Sequence, residues 1–258
     1  MPRENILTEI TDGIATLTID RAEKRNCIDL PMWIALGEAM ERFSADESLR
    51  CVIIRGAGDQ AFSAGADISD MQPGGAGSDP GYGPALKKSL ASIEGCIHPV
   101  VAAISGWCMG GAAGVATMAD FRLANEGMKF GIPARNLGIW YAHAWLDPIL
   151  QMAGYATCCE LLIEGKIFDG REALAKGLIT HCVPDGSVFT EAEALARRIA
   201  AGAPLSNRFH KRALKALRGP MPVSAEALLA ETRYRETEDF RGAVQAFMEK
   251  RKPVFAGR

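Results

Sequence analysis

Residues 100–120 read VVAAISGWCMGGAAGVATMAD, and the order of apolar and glycine residues in this stretch decides the fold class. Val100 to Ile104 is a continuous apolar run, which suits a strand buried on both faces of a sheet. Ser105 and Gly106 break it, and Gly110-Gly111 open an Ala/Met/Val-rich segment that predicts a buried helix of about three turns. The order is strand, short loop, paired glycines, helix. A helix N-terminus leaves its first N–H groups without partners, and its dipole favours negative charge there. Glycines let a ligand approach that backbone, because no Cβ stands in the way. Two readings of the pair stand side by side: a donor site for an anionic or developing-anionic oxygen, or a helix packed so closely on its strand that only Gly and Ala fit.

Outward from this stretch, composition narrows the class. The chain has 258 residues, 48% of them hydrophobic and 23% charged, with a net charge of −2. That length suits one large α/β domain or a core domain with a small appendage. Charges of both signs are mixed along it, which argues against a nucleic-acid or membrane-surface partner. No apolar run reaches transmembrane length, and MPRENILTEI lacks the core of a signal peptide. The seven cysteines include no Cys-x-x-Cys pair and sit mostly in apolar contexts, as at Cys51, Cys108 and Cys158-Cys159. Reduced thiols in a cytoplasmic protein follow, with no disulfide framework and no metal site. The four histidines (His98, His143, His181, His210) are scattered.

Upstream, residues 4–20 predict a hairpin turning at Thr11-Asp12-Gly13. Arg21 to Asn26 is a charged loop, and Leu30 to Phe43 has helical spacing with Asp29 as N-cap and Pro31 near N1. CVIIRG (51–56) is a second buried strand, feeding a loop, AGDQAFSAGADI, with a short helix near Asp67. Residues 72–84 are dense in Gly and Pro and are expected to be mobile, and Leu86 to Cys96 is amphipathic. Downstream come short strands at FRLA (121–124) and near Met128-Lys129-Phe130, then the loop GIPARNLGIWYAH. The remainder reads as helical, ending in one long helix over Val223 to Arg251 with Ala227, Ala230, Tyr234, Phe240, Val244 and Phe247 near one face. The pattern is an α/β core over residues 1–190 followed by a helical region over 191–258.

Two loops each follow a buried strand: AFSAGADI (61–68) and GWCMGGAAG (106–114). Backbone N–H groups from two such loops can converge on one oxygen, which an oxyanion hole requires. At these residues the sequence resembles the enoyl-CoA hydratase/isomerase family, the crotonase superfamily. The likeness extends over RAEKRNCID (21–29), KFGIPARNLGI (129–139), EGKIFDGREALAKGLITHCVPD (164–185) and AFMEKRKPVF (246–255). It implies a β-spiral core and a C-terminal helical trimerisation region, assembled as a homotrimer or homohexamer. It implies that the N–H groups of Ala66 and Gly111 hold the thioester oxygen of an acyl-CoA, with no cofactor beyond the coenzyme A that the substrate carries. It sets the adenine against the backbone of Ala64, Asp67 and Ile68, and brings Lys24-Arg25, with Lys250 or Lys252 from a neighbouring subunit, toward the CoA phosphates.

The chain departs from the family's hydratase pattern at two positions. Where hydratases carry the two glutamates that handle water, this sequence has Gly114 (or Ala113, allowing one residue of slippage) and Ala134. Neither can shuttle a proton. The candidates for that work are Tyr141 and His143, with Asp147 one helical turn beyond His143. NLGIWYAHA is most similar to the methylmalonyl-CoA decarboxylase branch, where a tyrosine in this loop orients the carboxylate and the glutamates are absent. That branch has a histidine after Ser-Ala-Gly, where Ala66 stands here. The alternatives are hydrolysis of a carbon–carbon bond in a β-diketone or β-keto acyl-CoA through His143, double-bond isomerisation, and a non-catalytic CoA-ester-binding homologue.

Overall fold

The computed structural model describes residues 5–71, 75, 79–218 and 233–254. The hairpin forms as expected: β1 (Ile6–Thr11) pairs antiparallel with β2 (Ile14–Ile19). Helix α1 (Leu30–Ala45) begins at Asp29, whose carboxylate accepts the Met32 N–H at 3.0 Å. Then follow β3 (Cys51–Gly56), β4 (Ala61–Ser63), a 3₁₀ turn over Ile68–Met71 and α2 (Tyr82–Gly95). The organising stretch gives β5 (Val100–Ile104), β6 (Trp107–Met109) and α3 (Gly111–Met118). Beyond it lie β7 (Phe121–Asn125), β8 (Lys129–Gly131), a 3₁₀ turn over Pro133–Leu137, α4 (His143–Cys158), α5 (Gly170–Ala175) and β9 (His181–Val183). Among the described residues, helices α6 (Val188–Ala200), α7 (Pro204–Arg218) and α8 (Glu238–Met248) follow.

The strands build two sheets, and that division positions everything else. Six strands run in the order β1-β2-β3-β5-β7-β9, and three in the order β4-β6-β8. Each turn of the chain gives one strand to the large sheet and the next to the small one: β3 then β4, β5 then β6, β7 then β8. This is the β-spiral. Apart from the β1–β2 hairpin all pairs are parallel, so successive loops leave the small sheet side by side along one edge.

Alternation along the strands divides the core. Val52, Ile54, Val100, Ala102 and Ile104 face α1, α2 and α3, while Cys51, Ile53, Val101 and Ala103 face α6 through Val188, Ala192, Leu195 and Ala196. Burial on both faces is why these strands are apolar throughout. Helix α6 spans residue 190, the expected boundary of the core. All seven cysteines are free thiols, and no helix among the described residues is long and apolar enough to cross a membrane.

Four expectations are corrected. The 105–110 loop contains strand β6, and the 57–66 loop contains β4; three residues are too short to show a period. Helix α3 has eight residues rather than three turns and stops at Ala119, whose N–H is taken by Ala116 O. The segment after α4 is not all helical, because β9 joins the edge of the large sheet through Leu123, Ala124 and Asn125. The long final helix is interrupted: Arg233–Glu236 is a 3₁₀ turn, and Thr237 restarts the chain as α8 by accepting the Phe240 N–H at 3.1 Å. Its expected first part, with Ala227 and Ala230, lies outside the described residues, as do residues 72–74 and 76–78 of the segment expected to be mobile.

Candidate active site

Strands β4 and β6 are parallel neighbours, paired at Ser63–Cys108, so the loops that leave them emerge together. Gly65 lies in the left-handed region at φ +96°, and a Cβ there would meet Met109 O at 2.5 Å and Gly111 N at 3.1 Å. Gly110, at φ +55°, turns the chain into α3, and its N–H donates to Gly131 O at 2.9 Å. This last bond ties in the third loop, which leaves β8 toward Ala134. Segments 64–66, 110–111 and 132–134 thus share one edge of the small sheet.

The backbone hydrogen bonds of this edge are unevenly distributed. Ala64 N–H donates to Arg25 O and Asp67 N–H to Ile28 O, each at 2.9 Å, and Gly65 N–H to Ser63 Oγ at 3.0 Å. Between them, Ala66 N–H has no acceptor among the described residues, and neither does Gly111 N–H in the first turn of α3. The two nitrogens are close neighbours, since a Cβ on Gly111 would lie 3.4 Å from Ala66 N. Two unused donors therefore stand together at the positive end of a helix. Ala64 and Asp67 thus spend their N–H groups internally, and the Asp67 carbonyl accepts the Asp70 N–H at 3.0 Å. Ile28 fixes the loop from behind, taking Gly65 O at 2.8 Å.

A charge cluster braces the same loop. Arg21 Nη1 donates to Asp67 Oδ2 at 2.9 Å and lies 3.4 Å from Asp29, and Lys24 Nζ is 3.6 Å from Asp67. Burial alone would raise the Asp67 carboxyl. The Ser69 hydroxyl and N–H donate to it at 2.6 and 3.0 Å, and with the two cations they outweigh burial and hold it at about 2. Lys24 stays half exposed at the rim, and Lys250 and Lys252 are exposed. The sequence reading missed Arg21 as the hub; its place at the head of RAEKRNCID was the available signal.

Gly114 and Ala134, the two positions that the resemblance sets against the hydratase glutamates, lie in packed surroundings. Gly114 faces α2, where Leu90 methyls lie 3.5 and 3.7 Å from its Cβ position, and Ala134 is buried. Of the two expected proton-handling residues, Tyr141 has its hydroxyl 3.8 Å from a Cβ built on Gly110. Trp145 holds the tyrosine ring edge-on, at 5.6 Å between centroids. His143 begins α4, and Asp147, one turn on, accepts from Gln151 Nε2 at 2.7 Å. Trp107 and Trp140 are both partly exposed.

Parallel-spiral topology and paired loop donors define a crotonase-type protein, and comparison with known proteins agrees. The enoyl-CoA hydratase/isomerase family profile matches residues 9–258, so the chain belongs to that family. It is 33% identical to a putative enoyl-CoA hydratase of Thermus thermophilus over 251 residues, 94% of this chain and 97% of that one. A crystal structure of an enoyl-CoA hydratase/carnithine racemase from Magnetospirillum magneticum superposes with a TM-score of 0.79 at 40% identity, covering 99% of this chain and 97% of the other. A methylmalonyl-CoA decarboxylase in complex with 2-nitronate-propionyl-CoA gives a TM-score of 0.89 at 25% identity, covering 99% of both. The protein is an enzyme of the crotonase superfamily, whose substrates are acyl-CoA thioesters.

Proposed function

We propose that the Ala66 and Gly111 N–H groups bind the thioester oxygen of an acyl-CoA and stabilise its enolate, and that the reaction is decarboxylation rather than hydration. The observation that carries this reading is the pair of unused, adjacent donors beside Tyr141, with Gly114 and Ala134 where acid/base carboxylates would be needed. Decarboxylation needs no general base. The bond from Cα to the carboxylate breaks, CO₂ leaves, and its electron pair passes into the thioester as an enolate whose oxygen the two donors hold. A proton then adds at Cα. Tyr141 donates to the departing carboxylate and orients it, while Trp107, Trp140 and Ala134 supply an apolar surround that favours loss of charge.

The likeness to the methylmalonyl-CoA decarboxylase supports this choice, and Ala66, where that branch has histidine, sets this enzyme apart from it. Coenzyme A enters as part of the substrate, its adenine along Ala64, Asp67 and Ile68 and its phosphates toward Lys24, with no further cofactor. We place the enzyme in the cytoplasm as a homotrimer or homohexamer. Leu205, Phe209, Leu214 and Leu217 of α7 are exposed, as expected of a helix that meets other subunits, and light scattering in solution measures the assembly.

CO₂ release from methylmalonyl-CoA tests the reaction, and two substitutions test the site. Tyr141→Phe is expected to cut turnover through lost orientation of the carboxylate, while His143→Ala leaves most of it. The reverse order on a β-diketone or β-keto acyl-CoA, with water consumed and no CO₂ released, would favour hydrolysis through His143 instead.

A further inference from the structure

Trp33 lies on α1, far in sequence from both glycines. Its side chain is fully buried and its six-membered ring lies against Gly111: a Cβ there would sit 3.2 Å from Cζ2 and 3.5 Å from Cη2. Gly111 is helical, with no left-handed φ, so it is the close approach of Trp33 rather than backbone conformation that favours glycine at 111. The indole N–H is buried and has no acceptor among the described residues. An unmade hydrogen bond of this kind opposes folding, a cost that phenylalanine or leucine would not carry. Neither of those smaller side chains would keep the outer edge of the six-membered ring against Gly111.

The segment that carries Trp33 also carries the other donor. Ile28 joins Gly65 and Asp67 through backbone bonds of 2.8 and 2.9 Å on either side of Ala66, and the Trp33 N–H donates to Asp29 O at 2.9 Å. From α2, Ser89 Oγ donates to the Trp33 carbonyl and fixes the residue from behind. One stretch, residues 28–33, thus holds Ala66 through its main chain and Gly111 through an aromatic ring.

We propose that Trp33 is a positioning residue that sets the separation of the Ala66 and Gly111 N–H donors. The inference rests on reading those donors as the thioester site. It predicts that recession of the ring loosens the pair without disturbing the nucleotide end of the ligand.

The carbonyl stretch of bound butyryl-CoA, isotope-edited with ¹³C at the thioester, reports polarisation by the donors without turnover. In the wild type it is expected to fall below that of free butyryl-CoA. Trp33→Phe should keep the fold by circular dichroism and its affinity for free CoA within about twofold, yet lose most of the shift and ~10–100-fold in kcat at similar KM. Gly111→Ala, whose methyl presses on the ring, should do the same. The double variant should be no worse than Trp33→Phe alone, because phenylalanine leaves room for the methyl. A folded Trp33→Phe with the full shift overturns the proposal, as do effects of the two substitutions that multiply. Should Trp33→Phe fail to fold, Gly111→Ala decides: the full shift in that variant overturns the proposal. A wild type with no shift removes the donor reading itself, and Trp33's role with it.

Discussion

Gly65→Ala isolates how tightly the two donor loops are registered. A methyl at 65 would stand 2.5 Å from Met109 O, where ordinary contact begins at 3.4 Å, so the loops must part by about 0.9 Å (3.4 − 2.5). The φ of +96° adds strain for any side chain, ~1–3 kcal/mol. With the displaced loops included, the expected destabilisation is ~2–4 kcal/mol, or a fall in Tm of roughly 5–15 °C for a chain of this size. A shift of nearly 1 Å between donors is also expected to cost ~10²-fold in turnover. Gly114→Ala is the stability control, since its methyl would make only ordinary contact with Leu90 at 3.5 and 3.7 Å. In a helix interior that change should stabilise by ~0.5–1 kcal/mol. Calorimetric unfolding of both variants, with CO₂ release from methylmalonyl-CoA, measures the contrast. Gly65→Ala melting within about 2 °C of the wild type, and turning over within about threefold of it, would show that the loops are not locked as the backbone indicates.

Three further outcomes follow from the same geometry. With Gly114 and Ala134 at the glutamate positions, crotonyl-CoA hydration should be slower than in a two-glutamate enzyme by at least ~10²–10⁴-fold, followed by loss of the enoyl absorbance; hydratase-like turnover would refute the assignment of those positions. Gly111→Pro deletes a donor N–H at the first position of α3, where the helix backbone accepts proline, and also crowds Trp33, so it should remove at least ~10²–10³-fold of activity; a folded, active variant would put the donor elsewhere. Asp67, held at about 2 against an ordinary 3.8, gives stability that is complete above about pH 4 and lost as pH falls toward 2. Asp67→Asn should therefore cost about 2 kcal/mol at neutral pH and flatten the acid limb of a stability–pH profile; an unchanged acid limb would mean that the Arg21 cluster does not set it.

What could be read from the sequence was what burial writes into it. Val100–Ile104 and Cys51–Gly56 announce themselves because both faces are covered, and Asp29 announces α1 because a cap needs a particular side chain. Strands β4, β6 and β9 have three residues each, and their identity lies in backbone bonds to distant strands that no local pattern records. The break before α8 was visible in principle, since Thr237-Glu238-Asp239 is a cap with an acidic first turn.

The site divides along the same line. The loops that carry Ala66 and Gly111 were legible because each follows a buried strand, while the choice of those two residues came from the family resemblance; the parallel pairing of β4 with β6 explains why loops 45 residues apart meet, since parallel neighbours release their chains at the same edge. Tyr141 and His143 could not be ranked from the sequence, since both carry exchangeable protons two residues apart. The structure adds that the Tyr141 hydroxyl approaches Gly110, and the two substitutions above are what rank them. Trp33 was invisible for a different reason. On the apolar face of an amphipathic helix a tryptophan reads as core, and so it is; which residue its ring touches depends on where tertiary packing sets α1. The glycine at 111 then carries two meanings at once, an open donor and a space reserved for the indole. The two readings of the glycine pair, a donor site and a tight packing site, are therefore compatible, because close packing by Trp33 is what holds the donor in place.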